Sequence, residues 1–121
     1  MVYRITAERD YLRADVFNRE TAEEAREFFE AVADSATRYH RSRILISVHS
    51  SFPVFTVERS GFLTRFTSVG GDPAHKIALI ADSQDLDHSH EYFVLVGRLH
   101  GFNVRHFRDE PSALEWFKGP Q

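Results

Sequence analysis

The chain has 121 residues, which is the usual size of one domain and too short for two ordinary ones. Its 42% hydrophobic and 27% charged residues are typical of a globular protein and exclude a disordered chain. A formal net charge of -3 argues against a general surface for nucleic acid or anionic membranes. With no cysteine, disulfides, thiolate metal sites and cysteine nucleophiles are excluded. We therefore expect a single domain over residues 1–121.

The expected cellular location rests on the absence of recognisable targeting and membrane-spanning segments. The first residues, Met1–Ile5, contain no apolar signal-peptide core, and no run reaches the roughly 18 apolar residues that a membrane span needs. We expect a cytoplasmic protein.

Two alternating runs open the chain. Val2–Thr6 alternates between apolar and polar residues, and Tyr11–Phe17 places Leu12, Ala14 and Val16 on the face opposite its charged residues. Because a short polar segment separates the runs, they predict an antiparallel hairpin.

A capping box then predicts the start of a helix. Thr21 is followed three residues later by Glu24, and each side chain can satisfy an unpaired amide of the first turn. Apolar residues recur at steps of three or four along the segment that follows: Ala22, Ala25, Phe28, Phe29, Val32, Ala36 and Tyr39. The pattern predicts one buried helix face.

The run Ile44–Val48 predicts a central strand. Its residues are mostly aliphatic or β-branched with little alternation, which is typical of a strand buried on both faces. The loop His49–Pro53 follows it, and ligands of open α/β sheets usually bind beyond the carboxyl ends of the strands. This loop is the first place to look for function.

The second half of the chain continues the alternation of helices and strands. Apolar spacing predicts a helix from about Thr56 to Ser68, weakened by Gly61, and then a buried strand over Lys76–Asp82. Asp87 is predicted to cap a third helix, which Gly101 ends in the left-handed conformation.

One more strand and one more helix complete the pattern. Phe102–Phe107 is predicted to be a strand, and either Asp109 or Ser112 starts a last helix that Gly119 ends. The order β-β-α-β-α-β-α-β-α predicts an α/β fold with four helices. Its five-stranded mixed sheet should be parallel apart from the first strand, with right-handed crossovers.

This order resembles the SpoIIAA-like family, whose fold is shared by STAS domains and resembles that of CRAL-TRIO lipid-binding domains. The resemblance is carried by the hairpin Val2–Phe17, the capped helix, the strand ending at His49 and the closing run Phe107–Phe117. Because bacterial members are largely uncharacterised, the resemblance implies a fold more than an activity.

The STAS resemblance also implies a regulatory site. The best-known STAS domains are partners of kinase-like anti-sigma factors, and are phosphorylated on a Ser after the third strand within an Asp-Ser-Ser/Thr-Gly pattern. The matching residues here are His49-Ser50-Ser51-Phe52, so Ser50 is the phosphorylation candidate, with Ser51 beside it. His and Phe replace the Asp and the Gly of the pattern, and a Ser after a strand is ordinarily a helix cap or a turn residue.

The segment Asp82–Glu91 combines three Asp, two His and one Glu, side chains that can hold Zn, Mn or Ni. Asp85, His88 and His90 are the candidate ligands. The alternative is a capped helix start with solvated His88 and His90, and two His separated by one residue point to different sides of a helix. We therefore expect no metal site.

A Ser, His and Asp triad could combine Ser50 with His49 or His88 and with Asp82. The Gly-x-Ser-x-Gly pattern of hydrolases is absent, and so is a Gly-rich phosphate loop. We expect neither catalysis nor a cofactor.

Basic residues cluster before the central strand. These basic residues could bind a phosphate or an acidic partner. They are Arg38, Arg41 and Arg43, together with Arg59 and Arg65 further along the chain. The alternative is a solvated helix end whose positive charges complement the helix dipole.

Aromatic residues are dense after the central strand. Phe52, Phe55, Phe62 and Phe66 could form core, line a lipid-like pocket, or face a partner. The candidate surface consists of His49, Phe52, Phe55, Arg59, Phe62 and Phe66.

We expect a non-enzymatic module that binds a protein partner or itself as a homodimer. The alternative is a binder of a small apolar or amphiphilic ligand, and a metal-dependent or hydrolytic enzyme comes third.

Overall fold

The computed structural model describes residues 1–54, 61–66 and 75–119. The strands in these ranges are β1 (Val2–Ala7), β2 (Leu12–Phe17), β3 (Arg43–His49), β4 (Lys76–Ala81) and β5 (Val104–Phe107). The helices are α1 (Ala22–Arg38), α2 (Phe62–Arg65), α3 (Gln84–Leu99) and α4 (Glu110–Lys118).

The five strands form one sheet in the order β1-β2-β3-β4-β5. β1 pairs with β2 antiparallel, and every later neighbour is parallel. The predicted mixed sheet with four helices is confirmed, and β3 is its central strand. The register places Phe17 opposite His49 and Val48 opposite Ala81, so the carboxyl ends of β2, β3 and β4 lie side by side.

Apolar side chains cover both faces of the sheet, to unequal extents. The larger cluster joins α1, α2 and α3 to one face, which includes Ile44, Ile46 and Val48 of β3. The smaller cluster joins α4 to the other face through Leu45, Ala78, Ala113 and Phe117. β3 is therefore buried on both sides, as its continuous apolar run predicts.

The start of α1 agrees with the predicted capping box in most respects. The Thr21 hydroxyl accepts a hydrogen bond from the amide of Glu24 at 3.1 Å. The Glu24 carboxylate accepts from the amide of Glu20 at 2.7 Å, and backbone hydrogen bonds from Glu20 and Thr21 lower its pKa. Both bonds satisfy amides at the start of the helix, which have no partner within it.

The predicted cap of the third helix is wrong. The N-cap of α3 is Ser83, whose hydroxyl accepts from the amide of Leu86 at 3.2 Å and whose backbone is extended. Asp87 lies one turn inside α3 and bonds the ring of His106 instead. At the other end the prediction holds, since Gly101 is left-handed with φ 87°. Asp109, not Ser112, caps α4.

The helix predicted from Thr56 to Ser68 is described only in part. Within residues 61–66 the chain forms the short helix α2, while residues 55–60 and 67–74 lie outside the described residues. Gly97 of α3 permits the close packing nearby, because a Cβ there would lie 2.9 Å from Val104 Cγ1 and 3.3 Å from the ring of Phe62.

Across the described ranges, no helix combines the length and the apolar character that crossing a membrane would require.

Candidate functional site

Hydrogen bonds hold the loop after β3, residues 50–54, at the carboxyl edge of the sheet. The amide of Ser50 donates to Asp82 Oδ2 at 2.9 Å, and the amide of Phe52 donates to the carbonyl of Arg19 at 2.9 Å. Ser51 Oγ accepts from the amide of Arg19 at 3.0 Å and donates to the carbonyl of His49 at 2.9 Å. These four hydrogen bonds help to fix the conformation of this β3 loop, in which Ser50 has a left-handed φ of 47°.

Exposed aromatic side chains lie on this fixed loop and beside it. The rings of Phe17 and His49 stack with centroids 4.6 Å apart and planes 13° from parallel. His49 Nε2 lies 3.2 Å from Asp15 Oδ1, which orients the imidazole. Phe52 extends into solvent with 63% of its surface exposed. We call Phe17, His49, Ser50 and Phe52 the edge patch.

An acidic cleft of about 470 Å³ adjoins the edge patch. Its lining residues are Ala81, Asp82, Ser83, Gln84, Asp87, His88, Glu91 and Arg108. Asp82 connects the two features, because its carboxylate also accepts the bond from the Ser50 amide. Three carboxylates against one Arg side chain make the cleft wall negative.

Two polar side chains near the β3 loop, Arg19 and His90, are buried. The guanidinium of Arg19 donates through Nη2 to the carbonyl of Phe52 at 2.8 Å, and only 3% of the residue is exposed. Burial lowers the pKa of Arg19 to about 10. His90 of α3 is 4% exposed, and burial together with the Arg19 charge lowers the pKa of its imidazole to about 3. The expectation that His90 is solvated is wrong, because α3 turns this residue towards the protein interior.

The two phosphorylation candidates differ in their surroundings. The side chain of Ser50 is exposed, whereas the hydroxyl of Ser51 is engaged in two hydrogen bonds. Modification of Ser51 would break both bonds, so Ser50 is the better candidate. Phosphorylation there stays a prediction.

Two aromatic members of the predicted surface belong to the core instead. Phe62 and Phe66 are fully buried. Their rings pack on each other at 5.3 Å, and the surrounding rings are Phe29, Phe93 and Phe102. Their assignment to a surface is wrong, because the short α2 directs both rings into the space between α1 and α3. Phe55 and Arg59 lie outside the described residues.

The metal candidates do not converge. Asp85 and His88 are exposed, whereas His90 is buried, as expected for neighbours that point to different sides of a helix. Among residues 1–54, 61–66 and 75–119, no three His, Asp or Glu side chains are grouped as metal ligands would be.

The triad drawn from the sequence is not assembled. Asp82 accepts from the backbone of Ser50 rather than from a His, and His49 pairs with Asp15. His88 lines the acidic cleft with Asp82, but no hydrogen bond joins it to Ser50 within the described ranges.

The basic cluster before β3 largely binds the protein's own backbone. Arg41 Nε donates to the carbonyl of Glu8 at 2.8 Å, and Arg43 Nε donates to the carbonyl of Phe117 at 3.3 Å. Arg65 pairs with Glu30 at 3.6 Å, and Arg38 is exposed in the last turn of α1. These contacts favour a structural role for the cluster over a site for a phosphate or an acidic partner.

A second cleft, of about 440 Å³, lies at the opposite edge of the sheet. Its lining residues are Asp10, Tyr11, Ser42, Arg43, Leu114, Phe117 and Lys118. The nearby Lys76 is fully buried and donates from Nζ to the carbonyls of Trp116 and Gly119, at 2.8 and 2.5 Å. These bonds hold the end of α4 against β4.

The sequence was compared with protein-family models, and the SpoIIAA-like model matches residues 11–118. The chain belongs to the SpoIIAA-like family. The matched SpoIIAA-like region runs from β2 to α4 and leaves out β1. Comparison with curated proteins gave no match, and comparison with solved structures gave none either.

Several site residues of this SpoIIAA-like domain escaped the sequence prediction. Phe17 ends an alternating strand, and its position opposite His49 depends on strand pairing. Arg19 lies in a polar stretch between β2 and α1, where nothing in the sequence indicates burial. The bond between Asp87 and His106 joins residues of different elements. A signal was available only for Asp15, which alternates with apolar residues at the end of a predicted strand.

Proposed function

We propose that this SpoIIAA-like domain is a non-enzymatic module that binds a protein partner through the edge patch. The observation that carries the proposal is the exposed ring of Phe52 on a loop held by four hydrogen bonds. A side chain on a preorganised loop loses little conformational freedom on binding. Aromatic residues of this kind are enriched among the hot spots of protein interfaces.

The acidic cleft favours a partner with a basic group. Because Asp82, Asp87 and Glu91 lie beside the edge patch, a partner that places Lys or Arg there gains electrostatic complementarity. The partner surface should therefore combine an apolar residue, which packs on Phe52 and Phe17, with a neighbouring basic group.

The protein-binding proposal is preferred to the apolar-ligand alternative because of where the aromatic rings lie. Phe62 and Phe66 were the described residues that could have lined a lipid-like pocket, and both pack on other rings with no exposed surface. Phe52 is exposed instead. An exposed aromatic surface favours a macromolecular contact over a small-ligand cavity.

The non-enzymatic part of the proposal rests on what the polar groups of the edge already do. Asp82 holds the backbone of the β3 loop, and Asp15 orients the ring of His49. Both carboxylates thus contribute to the shape of the binding surface.

The first experiment compares Phe52→Ala with Leu99→Ala. Leu99 is also an exposed apolar residue, but it lies at the far end of α3, away from the carboxyl edge. Tagged wild-type protein and both variants are used to capture partners from the native cell extract, and the captured proteins are quantified by mass spectrometry. We expect a partner that wild type and Leu99→Ala retain equally and that Phe52→Ala loses by about tenfold or more, as for a hot spot.

Sedimentation of the purified proteins tests whether the partner is a second copy of this chain. A dimer that Phe52→Ala dissociates and Leu99→Ala preserves would identify the chain as its own partner through the same patch. If the wild type is monomeric and every captured protein binds Phe52→Ala as well as wild type, the proposal is wrong.

A further inference from the structure

The outward face of α3 changes character along the helix. In the first half, Asp85 and His88 are exposed. The second half carries three exposed apolar side chains, whose exposed fractions are 40% for Tyr92, 58% for Leu95 and 76% for Leu99. A surface helix ordinarily presents polar residues to solvent, so this half departs from the usual pattern. We call Tyr92, Leu95 and Leu99 the α3 stripe.

The side chains of the α3 stripe lie on one side of the helix. Their spacing of three and four residues places them within about 60° of one another around the helix axis. Leu95 is about 160° away from Phe93, which belongs to the buried face of α3. The stripe therefore points away from the sheet. Exposed apolar residues at this spacing are typical of the seam between two packed helices.

We propose that the α3 stripe is the contact between two copies of this chain, whose α3 helices pack antiparallel about a two-fold axis at Leu95. In this arrangement each Leu95 packs on its counterpart, and Tyr92 of one copy packs on Leu99 of the other. A two-fold contact must be self-complementary, because both copies use the same surface. A stripe with Leu95 between two other apolar residues meets this requirement.

The charges beside the α3 stripe favour a second copy as its partner. Glu91 and Arg98 lie on the same flank of the stripe, two helical turns or about 10 Å apart, which is too far for them to pair within one helix. Antiparallel packing brings Glu91 of each copy next to Arg98 of the other, so two opposite-charge pairs border the apolar contact. The Nε of Arg98 donates to the carbonyl of Val104 at 3.0 Å, which holds the guanidinium on this flank.

The same charges select the direction of the pair. In a parallel pair, two-fold symmetry would place the Glu91 and Arg98 flanks of the two copies on opposite sides of the contact, where they could not meet. The proposed contact also differs from the edge patch, since Phe52 lies on the β3 loop and not on α3. A dimer through α3 would therefore leave Phe52 free to bind another protein.

The test is sedimentation of the purified chain over a range of concentrations, from about 5 to about 500 μM, because a contact of one helix per copy is small and should dissociate on dilution. We expect a monomer–dimer equilibrium for wild type. Leu95→Glu places two carboxylates at the two-fold axis and should raise the dissociation constant by about 100-fold or more. The control is Tyr39→Glu, which adds the same charge at an exposed apolar residue at the end of α1 and should leave the dimer unchanged.

A charge exchange tests the antiparallel geometry. Glu91→Arg should weaken the dimer several-fold, because it brings two positive charges together on each side of the contact. Adding Arg98→Glu to this variant restores opposite charges across the axis and should recover the dimer. Thermal midpoints of all variants establish that each one folds. A double variant that dissociates further than Glu91→Arg alone, although it folds, would contradict the antiparallel contact.

Two results would overturn the proposal. If wild type stays monomeric over this range, the stripe is not a contact between copies, and a protein from cell extract that Leu95→Glu fails to capture would then be its partner. A dimer that Leu95→Glu preserves and Phe52→Ala dissociates would place the contact at the edge patch instead. The α3 dimer predicts the reverse pattern, and Leu99→Ala should weaken it while retaining any partner bound at Phe52. Failure of one contact is thus distinguishable from failure of the other.

Discussion

At the scale of single residues, burial decides the charge of His90. Its imidazole lies on the buried side of α3, and burial is the largest cause of its lowered pKa, to about 3. His90 is therefore neutral in the folded chain at neutral pH, while an unfolded chain takes up a proton near the ordinary value of 6.5. The unfolded state binds more protons than the folded state between these two values, so acid favours unfolding.

This difference between the folded and unfolded pKa of His90 predicts that the stability of the protein depends on pH. The free energy of unfolding should fall as the pH drops from about 6.5 towards about 3, with a His90 contribution of up to about 1.4 kcal/mol per pH unit. His90→Gln should make this slope shallower. The measurement is urea unfolding between pH 7 and pH 4.5.

The matched control is His88→Gln, since His88 is exposed on the same helix two residues away. It should keep the wild-type slope. Equal slopes for His90→Gln and wild type would mean that His90 is not protonated on unfolding in this range, and the burial argument would be wrong.

At the scale of elements, the helices α1, α3 and α4 begin in the same way. Thr21, Ser83 and Asp109 each adopt an extended backbone, and each side chain accepts a hydrogen bond from the amide three residues later. An oxygen-bearing side chain at this position satisfies an amide that the helix itself cannot. α3 is the informative case, because the segment before it offers several residues that could form such a cap.

Removing the cap of α3 should therefore cost stability. Ser83→Ala is expected to lower the free energy of unfolding by about 1 kcal/mol, because the amide of Leu86 loses its acceptor. The control is Gln84→Ala, an exposed position next to it where the change should stay within about 0.5 kcal/mol. Both variants are compared with wild type in urea unfolding. If the two substitutions cost the same, Ser83 does not stabilise α3 by capping.

At the scale of the whole molecule, the two faces of the sheet are unequally covered. Among the described residues, three helices pack on the face that carries Ile46, and α4 alone packs on the face that carries Leu45. The smaller cluster holds α4 together with the bonds from Lys76 and Arg43 to its last carbonyls. Elements with few buried apolar contacts open locally at a lower free energy than the rest of a protein.

Native-state hydrogen exchange should detect this asymmetry. The amides of α4 should exchange through a local opening, below the free energy of global unfolding shown by β3. Leu45→Ala should lower the opening free energy of α4, because Leu45 belongs to the cluster beneath it. Ile46→Ala is the matched control from the other face, and it should lower global stability by about 2–5 kcal/mol while leaving the local opening of α4 unchanged. Exchange of α4 by global unfolding alone in the wild type would contradict this division.

The sequence by itself determined the order and type of the elements. Alternation predicts β2, the continuous run Ile44–Val48 predicts the central strand, and Thr21 with Glu24 predicts the start of α1. These signals are local, since side-chain periodicity and capping involve residues a few positions apart. A parallel sheet follows from them, because strands that alternate with helices need crossover connections.

The sequence indicated the loop after β3, and tertiary structure alone decided which side chains are assembled around it. The ring of Phe17 on β2 stacks on the ring of His49 on the neighbouring strand β3. Asp82 accepts a hydrogen bond from the β3 loop at the end of β4, and Arg19 is buried beneath that loop. The same packing places Phe62 in the core and leaves Phe52 exposed, although both are aromatic residues of one region. Whether a side chain is buried depends on which distant elements cover it. That information lies in the packing of the whole chain and not in the neighbours of a residue along the sequence.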